Sequence, residues 1–273
     1  MMAAAGVGRI QPGIESLSTN LLRYMKKGTT LLHNLSLLKW CVELKIATSW
    51  NILYGFPGEP VEEYRKMADL LPVICHFPPP SGGGIVQLVR FGPMWKEPGK
   101  FGVDNVQPFW SVPLIYPGLS AEDLQRIALF FTYNRRDGVD PEEYIEPILD
   151  GILQWFEANK RGATLEIYET TEGWILKDTR GLSPIEERLL SQIELRVLKA
   201  LDSSKTRDRL LDALNQEAGN LEPRVSSGEL DFVLDLFFLQ QCVVEDEGRL
   251  LSLVLDRSEF CTIPGRGPSV VNQ

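Results

Sequence analysis

Two glutamates stand where an extended segment runs out into a turn: Glu15 in RIQPGIESLS, Arg9 to Ser18, and Glu59 in WNILYGFPGE, Trp50 to Glu59. A carboxylate at the end of a strand can hold the polar part of a ligand, and a glycine beside it lets the backbone approach that ligand closely. Gly13 is placed for the second role and Glu15 for the first; the alternative is a glycine kink with a surface glutamate. In the second motif Gly55, Pro57 and Gly58 either shape a binding turn or punctuate a strand-to-helix junction. Glu59 suits the N-terminus of the helix that follows. Arg90, closing GIVQLVRF, could face a substrate or a carboxylate, pair inside the protein, or end a strand in solvent.

Metal chemistry has little to draw on. Cys41, Cys75, Cys242 and Cys261 lie far apart, with no CxxC spacing, and His33 and His76 lack a partner at ligand distance along the chain. Cys41 in LSLLKWCVELK and Cys75 in LLPVICHF read as buried thiols acting as small hydrophobes.

The elements that must position these residues come from a chain of 273 residues, 44% apolar, with mean hydropathy -0.09. That is enough to bury a sizeable core and to divide into compact units. A net charge of -9 and a pI near 4.9 disfavour a phosphate backbone or an anionic membrane as partner. No run of about 18 apolar residues occurs, and MMAAAGVGRIQ lacks the regions of a signal peptide, so the expected location is the cytoplasm.

RIQPGIE reads as a strand, and Ser18 caps a helix over TNLLRYMKK that ends at Gly28. Thr29 or Thr30 opens a second helix to about Lys45, with Leu31, Leu35, Leu38 and Val42 on one face. TSWNILYG is a buried strand, and Pro60 starts a helix through EYRKMADLLPVI that Pro72 kinks or breaks. GIVQLVRF is the third strand. Strand, helix, strand, helix, strand with long crossovers predicts parallel strands in an α/β sheet or barrel, and three strands are too few to close one. The bare edge of such a sheet calls for a partner.

GPMWKEPGKFGVDNVQPFWSVPLIYPG, 92–118, is too apolar for a plain linker and is expected to pack across the mouth of the sheet. AEDLQRIALFFTY and EEYIEPILDGILQWFEANK read as helices, the second with Pro147 inside it, and ATLEIYETTEGWILKDT as a hairpin turned at Glu172 and Gly173. The expected units are thus 1–118, a connector over 119–182, a region over 183–260, and a disordered tail over 261–273. In the third unit, helices at IEERLLSQIELRVLKALD, KTRDRLLDALNQE and SGELDFVLDLFFLQQ precede a hairpin turned at Glu247 and Gly248, the order of a winged helix. Its third helix carries Glu229, Asp231 and Asp235 and no arginine, which favours a structural or peptide-binding cap over nucleic-acid reading.

GIES at 13–16, the following MKKG, LKWC, NILYGFPGE, VRFGP, and the downstream KFG and IYP, in this order and spacing, resemble the cobalamin-binding radical S-adenosylmethionine proteins that mature ribosomally made peptides. The resemblance runs from about Ala3 to Tyr133. It implies the latter half of a radical S-adenosylmethionine (β/α) barrel, a 4Fe-4S cluster, cobalamin, and C-methylation of a precursor peptide. It also implies that Gly13, Ile14, Glu15 and Ser16 form the strand whose glutamate bonds the polar end of S-adenosylmethionine. Asn51, Leu53 and Gly55 would lie on the strand backing the adenine, although the GxIxGxxE pattern is matched incompletely, with Glu59 one residue late. The sequence has no CxxxCxxC and no cobalamin domain, so the polypeptide alone is expected to be inactive as a methyltransferase.

Three readings follow. The chain is the C-terminal portion of a radical enzyme, arising from a truncated gene or an internal start at Met1 or Met2; or it is a subunit completed by a second chain that supplies the missing half-barrel; or it is a non-enzymatic peptide-binding protein using the aromatic loop with Trp95, Phe101, Phe109 and Trp110.

Overall fold

A computed structural model describes residues 2–217 and 224–258, in a mixed α/β arrangement. The expected tail over 261–273, and Cys261 with it, lies outside the described residues.

The first segment alternates as the crossovers require: β1 (Arg9–Ile10), α1 (Thr19–Tyr24), α2 (Leu31–Glu43), β2 (Ala47–Thr48), β3 (Ile52–Tyr54), α3 (Glu62–Leu70) and β4 (Gly83–Ile85). β1 pairs parallel with β2, Glu15 bridges Ile52 in parallel, and β3 pairs parallel with β4. Residues 47–54 therefore run between the two flanking extended segments. Ser18 and Thr30 cap α1 and α2 through their side chains, and Leu35 and Leu38 are fully buried on the face of α2 that the periodicity marks. α3 gives way at Leu71 to a 3-10 turn containing Pro72, because proline has no N–H for the α-helical ladder.

The expected third strand is two. Beyond β4 the chain leaves β3 and enters β5 (Leu88–Val89), which joins another sheet. That sheet has the order β5-β7-β6, all antiparallel, and takes in α4 (Pro93–Lys96), β6 (Val103–Pro108), α5 (Ser111–Ile115), α6 (Ala121–Ile127) and β7 (Phe130–Arg135). The segment read as one helix through ALFFTY thus ends at Ile127. Arg90 donates from Nε to the Ala128 carbonyl at 2.6 Å and from Nη2 to the Gln125 carbonyl, closing the helix end, and the aromatic run after it suits a strand. Leu88, Met94, Val103, Ala128 and Phe131 make this sheet's own small core. Trp110, Leu114 and Ile115 stay mostly exposed.

α7 (Glu142–Lys160) runs straight through Pro147, which sits on its exposed side. β8 (Leu165–Thr170) and β9 (Gly173–Asp178) form the expected hairpin, and β10 (Glu187–Leu189) and β14 (Leu255–Asp256) extend it to a four-stranded sheet of order β10-β9-β8-β14. β10 falls where the periodicity suggested the start of a helix. The helix instead starts at a capping box, Ser191 with Glu194, giving α8 (Gln192–Ala200). After it come β11 (Lys205–Thr206), α9 (Arg207–Glu217), α10 (Ser227–Leu239), β12 (Val243–Asp246) and β13 (Arg249–Ser252), with β11, β13 and β12 in one antiparallel sheet. Positive φ at both Glu247 and Gly248 matches the twist of the β12–β13 hairpin.

One cluster of buried apolar side chains runs from Ile14 to Leu255 and joins these parts. Where they meet, Arg180 and Asp178 are buried as a bidentate pair at 2.9 and 2.7 Å. Burial works against the Asp178 charge, but the Arg180 hydrogen bonds outweigh it and hold the carboxyl below its ordinary range. His76 is buried alongside, with Nε2 2.9 Å from the Leu253 carbonyl; burial, then the Arg180 charge, push it down to about 3. It is neutral at pH 7, so Nε2 carries the proton that the carbonyl accepts. Among the described residues no helix is long and apolar enough to cross a membrane.

Replacing Asp178 with alanine leaves a buried guanidinium unpaired, and the expected loss is about 3–5 kcal/mol in urea unfolding; a loss under 1 kcal/mol would show that water reaches Arg180. Glu43 gives a pH-dependent test. Its carboxylate accepts the Asp256 N–H at 3.1 Å, and burial lifts it from 4.5 to about 7 against the nearby Lys39. The unfolded chain releases this proton near 4.5 and the folded chain near 7, so the contribution is intact below 4.5 and lost as pH rises to 7. After screening at this partly exposed group the loss is about 1–2 kcal/mol. Glu43→Gln keeps the acceptor and is expected to flatten that decline in melting temperature between pH 4.5 and 8.

Candidate functional site

The carboxyl ends of the three parallel extended segments meet at one rim, where ligands of open α/β sheets are held. Glu15 sits there in a strained conformation. Its φ is 57°, and the Ser16 N–H donates across it to the Ile14 carbonyl at 2.7 Å, a γ-turn on a residue other than glycine. The tight turn expected at Gly13 is therefore two residues later. Gly13 itself has an ordinary backbone, with the Lys27 Nζ and the Glu15 Oε1 3.6 and 3.8 Å from where a Cβ would be.

Asn34 on α2 holds this turn in place. It is buried, and its Nδ2 donates to the carbonyls of Ile14, at 3.3 Å, and Ser16, at 3.0 Å. The Glu15 carbonyl accepts the Leu53 N–H at 2.9 Å, fixing the turn against β3. Ile14 and Ser16 point into the core; the Ser16 Oγ accepts the Ser18 N–H and lies 3.9 Å from the Met67 sulfur. Of the four GIES residues, only Glu15 presents a functional group at the surface. Its Oε2 is 2.5 Å from the Lys27 Nζ, both side chains being a little under one-third exposed. A carboxylate and an ammonium side by side and reachable from solvent can hold a zwitterion, such as the amino and carboxylate groups of a free amino acid.

The YGFPGE turn is more than punctuation. Glu59 is buried and folds back so that its Oε1 accepts the Gly55 N–H at 2.8 Å. Tyr64 donates to Oε2 at 2.7 Å and Tyr144, from α7, donates to Oε1. Burial first, and then the Glu59 carboxylate, push both phenols well above their ordinary range, so both keep their protons and act as donors. The two rings pack at 4.9 Å between centroids. Gly55 has φ 86°, and a Cβ there would lie 2.7 Å from the Ile85 side chain, so both conformation and space demand glycine.

Asp137 fixes the outside of the same turn. Its Oδ2 accepts the Gly58 N–H at 2.7 Å, and its carboxylate is paired bidentately with Arg135 at 2.9 and 3.0 Å. Those Arg135 bonds, ahead of an opposing effect of burial, hold Asp137 at about 2. Tyr24 of α1 donates to the Pro57 carbonyl at 2.5 Å. Glu63, also buried, accepts from Ser18 at 2.6 Å, Asn20 at 3.1 Å and Lys66 at 2.6 Å. All three carboxylates hold the loops, and those of Glu59 and Glu63 are buried from solvent.

The other expected site residues divide plainly. Asn51 is exposed and precedes β3, and Leu53 is half-buried with its N–H on Glu15 and its carbonyl accepting Tyr64 at 3.4 Å. The Gly55 N–H is taken by Glu59. Arg90 lies away from the rim, its guanidinium closing α6 and stacked over the Trp95 and Phe131 rings, each 5.3 Å away. Cys41, Cys75 and Cys242 are buried, and burial pushes each thiol above its ordinary range. Among the described residues no three His, Cys, Asp or Glu side chains gather to hold a metal. Comparison of the chain with protein-family models, curated proteins and solved structures finds no match in any of the three.

Glu59→Ala removes the acceptor of one N–H and two phenols, and is expected to cost roughly 2–4 kcal/mol in equilibrium urea denaturation, with Tyr144→Phe costing about 1 kcal/mol. Equal stability of Glu59→Ala and wild type would mean that solvent replaces those bonds.

Proposed function

We propose that this chain contributes the latter strands of a radical S-adenosylmethionine barrel and a winged-helix-like domain to a cobalamin-dependent enzyme that methylates carbon in a ribosomally made precursor peptide. The observation that carries the proposal is the rim: three parallel extended segments, linked by helices, bring GIES and YGFPGE together at their carboxyl ends. The connectivity of α8, β11, α9, α10 and the β12–β13 hairpin supports the winged-helix-like part. The hairpin's turn is engaged within the chain, Thr19 donating to Asp246 at 2.5 Å and Arg23 to Glu247 at 2.6 Å. With the acidic third helix, this favours a peptide over a nucleic acid as the partner.

The residues present fit the implied groups unequally. Glu15 and Lys27 match the zwitterionic methionyl end of S-adenosylmethionine, and the adenine would lie beside 51–55, where the N–H groups of Ile52, Leu53 and Gly55 are already bonded within the protein. A cluster does not fit: the described cysteines are buried thiols on separate elements, and a ligand must be an accessible thiolate. Among the described residues no cluster of His, Cys, Asp or Glu offers a metal such as the cobalt of cobalamin a set of ligands. Both would have to be held by residues other than those described, whose own part is to bind and orient.

A second reading, a non-enzymatic peptide-binding subunit, is favoured by the Lys27 ion pair that already engages Glu15. Anaerobic reconstitution with iron and sulfide separates the two. The chain alone is expected to take up no stoichiometric cluster, and to support S-adenosylmethionine cleavage to 5'-deoxyadenosine only with a second polypeptide carrying CxxxCxxC and a cobalamin domain. In that assembly Glu15→Ala should weaken S-adenosylmethionine binding about tenfold or more. A four-iron cluster with cleavage on the chain alone, or no dependence on Glu15, would sink the proposal.

A further inference from the structure

The β5-β7-β6 sheet is tied to the parallel strands at one end and is bare at the other. At the carboxyl end of β7, Arg135 reaches the Phe56 carbonyl at 3.5 Å and Asp137 takes the Gly58 N–H at 2.7 Å. Phe130, where β7 starts, is about 17 Å from there. Val89 pairs with Phe130, and the Phe109 N–H donates to the Phe130 carbonyl at 2.9 Å, so three chain segments meet at this end. The side chains that gather there are apolar and lie in water: Phe91, Trp110, Leu114, Ile115, Leu129 and Phe130 are 43–71% exposed. Phe91 is held out in a left-handed conformation, φ 67°, in the turn that the Gly92 N–H closes on the Val89 carbonyl at 3.0 Å. That turn position ordinarily takes glycine, and a bulky aromatic there is a strained exception.

Charge is missing from the same place. Residues 105–121 and 127–134 contain no Asp, Glu, Lys or Arg, in a chain that is 24% charged and carries a net -9. The flanking charges satisfy one another: Arg126 pairs with Glu122 at 2.5 Å, Arg136 pairs with Asp104 at 3.2 Å, and Arg90 turns in to close α6. Such a surface has no charge with which to select an acidic or a basic partner, and it is complementary to itself. The exposed stripe of Leu149, Leu153 and Phe156 on α7 differs, because it runs among exposed Glu146, Asp150 and Glu157, where two copies would repel. The area also fits. The six side chains at the sheet end leave roughly 700 Å² in water, above the roughly 300–600 Å² of the largest patch on an ordinary monomer. Two copies would bury about 1,400 Å², within the roughly 1,200–2,000 Å² of a stable interface.

We propose that this end of the β5-β7-β6 sheet is a dimer interface whose occupant is the same end of a second copy of this chain. The contact is isologous, each copy setting Trp110 and the α5 side chains against the aromatic sheet end of the other. It lies at the end of β7 remote from the YGFPGE turn, and it is independent of the enzymatic reading above.

Sedimentation equilibrium of the full chain between about 0.5 and 100 μM tests it. A species of twice 30.8 kDa is expected, half-dissociated at about 10 μM or below, with amide exchange over 109–116 and 127–130 slowing as it forms. Leu114→Glu puts a carboxylate into both halves of the contact and should raise the dissociation constant at least about a hundredfold. Leu114 is exposed, so the circular dichroism and melting of the monomer should not change. An equal mixture of Leu114→Glu and Leu114→Lys should regain association, because the self-pairing patch brings the opposite charges together. Trp110→Ser, expected to weaken the dimer about tenfold or more, decides the matter if the Leu114 variants do not fold. A monomer at about 100 μM, or a dimer left intact by these substitutions, overturns the interface. So does a monomer that binds phosphatidylcholine vesicles and loses them with Trp110→Ser, which makes a membrane the occupant. A dimer that forms only after removal of residues 259–273 overturns it too, since the chain's own segment is then the occupant.

Discussion

Arg180 brings five N–H donors into a place with almost no solvent, and five acceptors meet them. Nε and one Nη2 bond reach Asp178, and the rest go to the carbonyls of Val73, Gln240 and Gln241. Val73 belongs to the turn after α3, Asp178 to the end of β9, and Gln240 and Gln241 to the end of α10. One side chain therefore sets the distance between the parallel-strand region, the four-stranded sheet and the carboxyl-terminal helices. A guanidinium buried this fully is tolerable only while every donor is satisfied, so the three elements are fixed together or not at all. The neutral state of His76 follows from the same burial and the same charge, whereas the Cys242 thiol is pushed up by burial against the pull of the Arg180 charge.

A second interface works by similar means. Lys39 of α2 is buried, with Nζ 2.7 Å from Asp202 and 3.4 Å from the Ser252 carbonyl, and Glu43 one turn later takes the Asp256 N–H. The helix that supplies Asn34 to the strained turn at Glu15 is thus the helix that docks the carboxyl-terminal region. The conformation of the rim is tied in this way to residues more than two hundred positions along the chain. A left-handed glutamate costs on the order of 1–3 kcal/mol and persists only where its surroundings over-determine it. Asn34, Leu53 and the ion pair to Lys27 do so here.

Local chemistry was legible. The cap at Ser18, a second cap at Thr29 or Thr30, the kink or break at Pro72 and the hairpins at Gly173 and Gly248 all depend on residues within a few positions of one another, and sequence places them to within that choice. Longer-range decisions were hidden. GIVQLVRF has the composition of one strand, yet β4 and β5 belong to different sheets because their partners, β3 and β7, lie in different places. EERLL has a helical rhythm, yet it is the free edge beside β9 that takes Glu187–Leu189. Glu59 looked like a helix-terminus charge because its partners, Tyr64 and Tyr144, are five and eighty-five residues away. Arg90 reads equally as facing a ligand, pairing inside the protein or ending a strand in solvent, because nothing near it in sequence announces the carbonyls of α6.

By itself, then, the sequence determined the alternating α/β character, the parallel sense of the first strands, the acidic surface, the buried cysteines and the short-range turns, since hydrophobic period, proline, glycine and capping side chains act over a few residues. Only the tertiary structure decided which carboxylates are buried and saturated, which one remains at the rim, where the strained turn lies and which sheet edge is left open. Those outcomes depend on which distant donors and strands arrive beside a residue, and a buried polar group is settled by its partners rather than by its neighbours in the chain.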